Sequence, residues 1–250
     1  ASSIFKYYGA ELNKRRFDLL MEAMGTQALG WEGEGFNDRE LALSQRLLVD
    51  PFLRPDGPWG AMFALTSVGV TLDRFMDALV FDGGPRDYGL LNDEAAKAPP
   101  GSEGLMLNPL NPTTTRDDAL ASVRERFPLP CRCRAVMEGV AFEMRRKIEL
   151  LASAGMPSKS ITMVGGPSES NSWTRIVAEV AGLSIRLVNG QSAGAAGAAM
   201  MAAVGTRLFT ELREAQARLS APVRIVEPQP SVREEYNVVY RGYLDAHPGA

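Results

Sequence analysis

Val164-Gly165-Gly166-Pro167-Ser168-Glu169-Ser170-Asn171-Ser172-Trp173 closes a strand-like run, Ser160–Val164, and opens a helical pattern from about Ser170 to Ala181 that Gly182 stops. Two glycines at a strand end remove two Cβ atoms, so a flat ring or a phosphate can come close to the backbone. The helix start behind them offers unpaired N–H groups and a positive dipole end. Ser168, Ser170 and Asn171 are residue types that cap such a helix or bond a ligand. Ligands in open α/β sheets lie outside the carboxyl ends of strands, where this turn falls. On spacing alone the stronger reading is plainer: a tight strand-to-helix turn with a serine cap. The stretch is neither a Walker loop nor a GxGxxG fingerprint, because it lacks the Gly-Lys-Ser/Thr ending and the third glycine.

Working outward, Val136, Val140, Met144, Ile148 and Leu151 step along one face of a long helix, 132–154, that ends at Gly155. Downstream come a strand at Ile185–Val188, a small-residue helix at Ala193–Val204 ended by Gly205, and a helix marked by Phe209, Leu212 and Leu219. The last helix carries Val232, Tyr236, Val239, Tyr240 and Tyr243. Upstream, Pro99-Pro100-Gly101 forces a turn into an apolar strand at Leu105-Met106-Leu107, preceded by a short helix near Asn92–Lys97. Leu72, Phe75, Met76 and Leu79 form an amphipathic helix closed by Gly83-Gly84-Pro85. Earlier helical patterns run through Phe17, Leu20, Met21 and Met24, and through Leu41, Leu43, Leu47 and Leu48. Pro51, Pro55, Gly57, Pro58 and Gly60 form a loop at a subdomain boundary, dividing a weakly patterned segment, 1–57, from 58–250. Alternating strands and helices predict an α/β fold, with Ser160–Val164 and Ile185–Val188 in one sheet and helices 132–154 and 193–204 packed against it.

Composition narrows the chemistry. Lys plus Arg total 27 against 30 for Asp plus Glu, which gives a net charge of -3 and argues against a nucleic-acid or anionic-membrane surface. No apolar run is long enough to span a bilayer, and the expected setting is cytoplasmic. The two cysteines, Cys131 and Cys133, have no second pair to complete a zinc cluster and read as ordinary packing or surface thiols in a reducing compartment. The single histidine, His247, lies in a Pro/Gly-rich tail and reads as a frayed surface residue, which leaves little material for a Ser-His-Asp triad or a histidine metal site. Arg134 and Glu138, four apart on the long helix, predict a salt bridge rather than catalysis. Asp50, Asp56, Asp73 and Asp77 read as solvated charges.

Gly165 to Gly182, with its paired glycines, Ser170 or Asn171 four to five residues on, Trp173 and then Ala178-Glu179-Val180-Ala181-Gly182, resembles the adenosine motif of the FGGY family of carbohydrate kinases. The resemblance extends to Arg134–Phe142, to Ala193–Ala199, to Pro99–Leu105 and to the tyrosine-rich end, so residues 58–245 follow the family order. It implies an actin-like (ribonuclease H-like) ATPase lobe, a mixed sheet flanked by helices. It further implies that Gly165 and Gly166 line an adenosine pocket and that Ser170, with Asn171 beside it, contacts the adenine. ATP and Mg are the implied cofactors, and a small sugar or polyol of pentulose type is the implied substrate. The helix at Ala193–Ala203 would pack closely behind the nucleotide. The resemblance assigns the catalytic Asp and the phosphate-binding Asp-x-Gly-Thr to an amino-terminal lobe that this sequence lacks, so no catalytic and no metal-binding residue is assigned here.

Departures set two functions against each other. The family carries Gly-Glu-Arg-x-Pro after the Pro-Leu that matches Pro109-Leu110, whereas here Asn111-Pro112-Thr113-Thr114-Thr115 follows. Gly25-Thr26 lies at about the distance of a second phosphate loop, but the residues before it read as helix. The chain is either the adenosine-binding part of a sugar kinase, to be completed by the missing lobe, or a degenerate, non-catalytic protein that binds a nucleotide or a partner. Whether it forms a homo-oligomer is left open by the sequence.

Overall fold

The computed structural model describes residues 48–51, 59–62, 68–111, 116–153, 157–188, 193–219 and 224–248. The chain divides into two units, Ala1–Ala64 and Leu65–Ala250. In the first, strands β1 (Leu48–Pro51) and β2 (Trp59–Met62) pair antiparallel, with Leu48 opposite Met62 and Pro51 opposite Trp59. Leu48 is therefore a strand residue, not part of the helix its leucine spacing suggested, because cross-strand pairing outweighs a weak local pattern. Pro51 and Gly60, expected in a loop, also stand in the ladder; proline is tolerated at a strand end. Trp59–Met62 belongs with the residues before it, past the boundary read at 57. The helical pattern at Phe17–Met24, Gly25-Thr26, Leu41–Leu47, Asp56 and most of Asn111–Thr115 lie outside the described residues.

The second unit is built around one long helix. Helix α1 (Val68–Phe75) ends on the buried Phe75 and continues through a π-helical turn, Met76–Phe81, in which Met76, Leu79 and Phe81 are buried. Helix α2 (Tyr88–Ala95) starts earlier than the sequence suggested because the Asp87 carboxylate caps it, accepting from the Leu90 N–H at 3.0 Å. A helix that the sequence reading missed, α3 (Asp117–Arg126), joins α1 through the Arg74–Asp117 ion pair at 2.7 Å. The long helix α4 (Leu129–Ser153) follows, with most of its first half buried.

A three-stranded mixed sheet comes next. Strands β3 (Ser160–Met163) and β4 (Ser184–Leu187) run parallel, joined by α5 (Asn171–Ala181), and β5 (Arg224–Val226) adds antiparallel to β4. The two strands expected to share a sheet do so; β5 was not foreseen, being only three residues long. Helix α5 lies between the sheet and α4, and its Ile176, Val177 and Val180 belong to the core.

Two expectations fail here. Leu105–Leu107 joins no ladder among the described residues. Its alternating burial is real, with Leu105 and Leu107 buried, but the partner is a helix. A Cβ on Gly139 of α4 would stand 2.1 Å from the Leu107 carbonyl oxygen, so this segment lies directly on the helix backbone. Helix α6 (Ala193–Gly205) pairs with α7 (Leu212–Leu219) instead of making the tight contact expected of its small residues. Gly194 and Gly197 face open space, and of its side chains Met200 and Ala203 are buried.

The last helix, α8 (Pro230–Ala246), is held to α4 by a repeated arrangement. The hydroxyls of Tyr236, Tyr240 and Tyr243 donate to Glu138, Glu149 and Glu143 at 2.7, 3.0 and 2.9 Å. An arginine of α4 lies over each ring: Arg134 at 5.8 Å, Arg145 at 4.2 Å and Arg146 at 5.7 Å from the centroid. Phe142 packs among all three tyrosines. His247 caps α8 and packs its ring at a tilt against Tyr243, centroids 4.8 Å apart, while its carbonyl accepts from Arg146 at 2.9 Å. It is thus tied down rather than frayed. Among the described residues no helix is long and apolar enough to cross a membrane.

Glu138→Ala is expected to cost about 3–5 kcal/mol, because it strips a buried Arg134 of its partner, and Tyr236→Phe about 1–3 kcal/mol; urea unfolding midpoints measure both. Burial, and then the Arg146 charge, lower the pKa of His247 from its ordinary 6.5. Its contribution to stability is therefore present above about pH 6.5 and fades as pH falls below that. The stability difference between wild type and His247→Gln should shrink between pH 7.5 and a lower pH, read from unfolding midpoints at each.

Candidate functional site

At the end of β3 the chain turns through Gly165, whose φ of 86° and ψ of -172° fall in a region open essentially to glycine alone. A 3₁₀ turn, Gly166–Glu169, follows. The Ser168 hydroxyl and N–H both donate to the Gly165 carbonyl, at 2.6 and 3.0 Å, and the Ser170 N–H donates to Pro167 at 3.2 Å. Ser170 is the cap of α5, its Oγ accepting from the Trp173 N–H at 2.9 Å. The serine cap read from the sequence is present, and it accounts for the turn's shape.

The predicted site residues are brought together but play different parts. Gly165 and Gly166 leave open space: a Cβ built on either meets nothing within 4 Å. Gly166 has no positive φ, so nothing within the described chain demands a glycine there. The Ser170 side chain is buried and, besides capping α5, donates its one proton to Asn92 Oδ1 of α2. Asn171 is exposed, and its Oδ1 accepts from Arg224 Nη1 at 2.8 Å. The Ser172 hydroxyl donates to the Asn92 carbonyl at 3.0 Å. Sequence reasoning missed Asn92 and Arg224, which lie far from the motif and carry no pattern of their own.

Other candidates resolve as structure. Cys131 and Cys133 are free and buried, and burial pushes the Cys133 thiol up to about 12, which makes it a poor nucleophile. Arg134 and Glu138 form the predicted ion pair at 2.9 Å, almost wholly out of solvent. A cavity of about 590 Å³ is lined by Asp73, Asp77, Asp82 and Asp117, and none of its lining residues belongs to the glycine turn. Its carboxylates are occupied: Arg86 holds Asp73 and Asp77, Arg74 holds Asp117, and Arg124 holds Asp82. Hydrogen bonding from Arg86 keeps the Asp77 carboxyl below its usual range.

Residues 103–206 match the FGGY family of carbohydrate kinases, C-terminal domain. The L-xylulose/3-keto-L-gulonate kinase of Escherichia coli (strain K12) is 32% identical over 109 residues, which are 44% of this chain and 22% of that protein. The xylulose kinase of Haemophilus influenzae is 24% identical over 192 residues, covering 73% of this chain and 38% of that protein. The crystal structure of xylulose kinase from Rhodospirillum rubrum superposes with a TM-score of 0.61 at 24% identity, covering 81% of this chain and 42% of the other. The fold is thus the actin-like ATPase lobe that the motif implied. The chain spans well under half the length of each of these proteins.

Gly165→Ala should lose about 1–3 kcal/mol through backbone strain alone, and Ser170→Ala about 0.5–2 kcal/mol through the lost cap. Chemical denaturation of each variant against wild type gives both numbers.

Proposed function

We propose that this chain supplies the adenosine-binding lobe of an enzyme that phosphorylates a small sugar or polyol, of pentulose type, with ATP, in a cytoplasmic setting. One observation carries the reading: Gly166 has neither a positive φ nor a neighbour that a Cβ would strike, yet it stands at the open mouth of the turn. A base laid flat on the Gly165–Gly166 backbone would need that bare surface. In this reading Gly165 and Gly166 form the floor of the adenosine site and Asn171 lies at its edge. Ser170 serves through the shape it imposes as much as through contact. ATP supplies the phosphoryl group. Mg is assigned, as the resemblance implies, to the phosphates and to the amino-terminal lobe. That lobe would also bring the base that takes the proton from the sugar hydroxyl. The relatives named for xylulose kinases support the sugar class.

A second reading, a degenerate nucleotide- or partner-binding protein without chemistry, draws on Asn111-Pro112-Thr113-Thr114-Thr115, which stands where the resemblance places Gly-Glu-Arg-x-Pro.

Titration calorimetry should show weak ADP binding to the chain, abolished in Gly166→Val, whose branched side chain would occupy the floor of the site. A folded wild type that gives no heat with ADP or ATP would remove the nucleotide role. The chain alone should not phosphorylate pentuloses or polyols above background with Mg-ATP, since general-base catalysis contributes ~10²–10⁴-fold and the transferring phosphoryl group must be clamped from both sides. A coupled ADP-release assay over a sugar panel checks this; clear sugar-dependent turnover would place the catalytic residues in this chain.

A further inference from the structure

Asn92 lies in α2, outside the residues 103–206 that match the family domain. It nevertheless touches the candidate site twice. Its Oδ1 accepts from the Ser170 hydroxyl, and its main-chain carbonyl accepts from the Ser172 hydroxyl at 3.0 Å. These two serines flank Asn171. The amide is not free to rotate away, because its Nδ2 donates to the Tyr88 carbonyl at 2.7 Å, which leaves Oδ1 turned toward Ser170. A serine hydroxyl has one proton to donate. Ser170 gives it to Asn92 while accepting from Trp173, so the orientation of the cap is fixed from both directions. The Ser170 N–H in turn closes the glycine turn on Pro167 at 3.2 Å. The contact from the other side is weaker: Arg224, which holds Asn171 at 2.8 Å, is exposed to solvent.

We infer that Asn92 is a positioning residue for the nucleotide, one that sets affinity by fixing Ser170 and, through it, the Gly165–Gly166 turn. This rests on the reading of that turn as an adenine-nucleotide site. Asn92 itself need not touch the ligand. Its side chain offers two separable functions: Oδ1 serves the turn, while Nδ2 serves only α2. Substitution can therefore divide a role at the site from a role in packing.

The test is ADP titration calorimetry on the full chain, with unfolding midpoints measured in parallel. Asn92→Ala removes both functions and should weaken ADP binding about three- to tenfold, the order expected for one lost hydrogen bond. Asn92→Asp keeps an acceptor facing Ser170 and loses the donor to Tyr88. It should bind ADP within about twofold of wild type, even where its unfolding midpoint falls. Should Asn92→Ala fail to fold, Asn92→Leu, close in size and without an acceptor, takes its place and should show the same loss. Unchanged affinity in the Ala or Leu variant would overturn this inference and leave the nucleotide site standing. Equal loss in the Asp and Ala variants would also overturn it, by showing that affinity follows helix stability. No ADP binding by the folded wild type would overturn this inference together with the proposed function.

Discussion

The carboxylate of Glu138 is the interaction on which the second unit depends. It is buried to 1% exposure in the middle of the longest helix, and it accepts four hydrogen bonds: from Arg134 at 2.9 Å, Tyr236 at 2.7 Å, the Ser102 hydroxyl at 2.7 Å and the Gly101 N–H at 3.0 Å. A charge in that position would be prohibitively costly without such a shell. The shell reaches three other parts of the chain. Arg134 continues to the carbonyls of Ala95 and Ala98 at 3.4 and 3.1 Å, which fixes the end of α2. Tyr236 brings in the final helix. Gly101 and Ser102 belong to a turn in which four successive residues, Gly101 to Gly104, have positive φ. Two of these, Ser102 and Glu103, are not glycine, and such a backbone costs roughly 1–2 kcal/mol per residue. The two hydrogen bonds to Glu138 are what hold it.

That constraint carries to the site through α2. The glycine turn meets the body of the protein where Asn92 meets Ser170 and Ser172. Asn92 stands one helical turn before Ala95 and Ala96, and the end of that helix is anchored by Arg134. A buried ion pair with no part in chemistry therefore sets the position of the residue that orients the cap of α5. The tyrosine–glutamate–arginine sets along α8 act in the same direction, since α8 also packs on α5.

Local patterns with strong punctuation were legible in the sequence. Ser170 as a cap, Gly182 as a stop with φ 65° and the placing of β3 and β4 in one sheet all follow from residue type and spacing. The failures share a physical cause: the decisive partner lay far along the chain. Leu105–Leu107 has the alternation of a strand, yet its neighbour is Gly139, more than thirty residues away, and a period of two does not say what is being covered. Helix α6 has the small residues of a close contact, but small residues permit an approach without compelling one. His247 looked like a tail residue until Tyr243 and Arg146 held it. The ion pair of Arg134 with Glu138 was legible as i, i+4 spacing; its burial and its four-way shell were not. At the site the motif pointed to Gly165, Gly166, Ser170 and Asn171, and the fold added Asn92 and Arg224.

The two glycines of the turn differ in how far the chain itself accounts for them. Gly165 is accounted for by its backbone: a φ of 86° with an extended ψ excludes other residues, and a capped strand-to-helix turn would need it whether or not anything bound there. Gly166 has no such explanation. Its φ is ordinary, no atom lies within 4 Å of where a Cβ would be, and it sits on the first turn of a 3₁₀ helix, where glycine loses more conformational entropy than a larger residue would. On the function proposed above, that bare surface is where the nucleotide would lie. Ser170, whose one proton goes to Asn92 while it accepts from Trp173, shapes the turn beside those glycines.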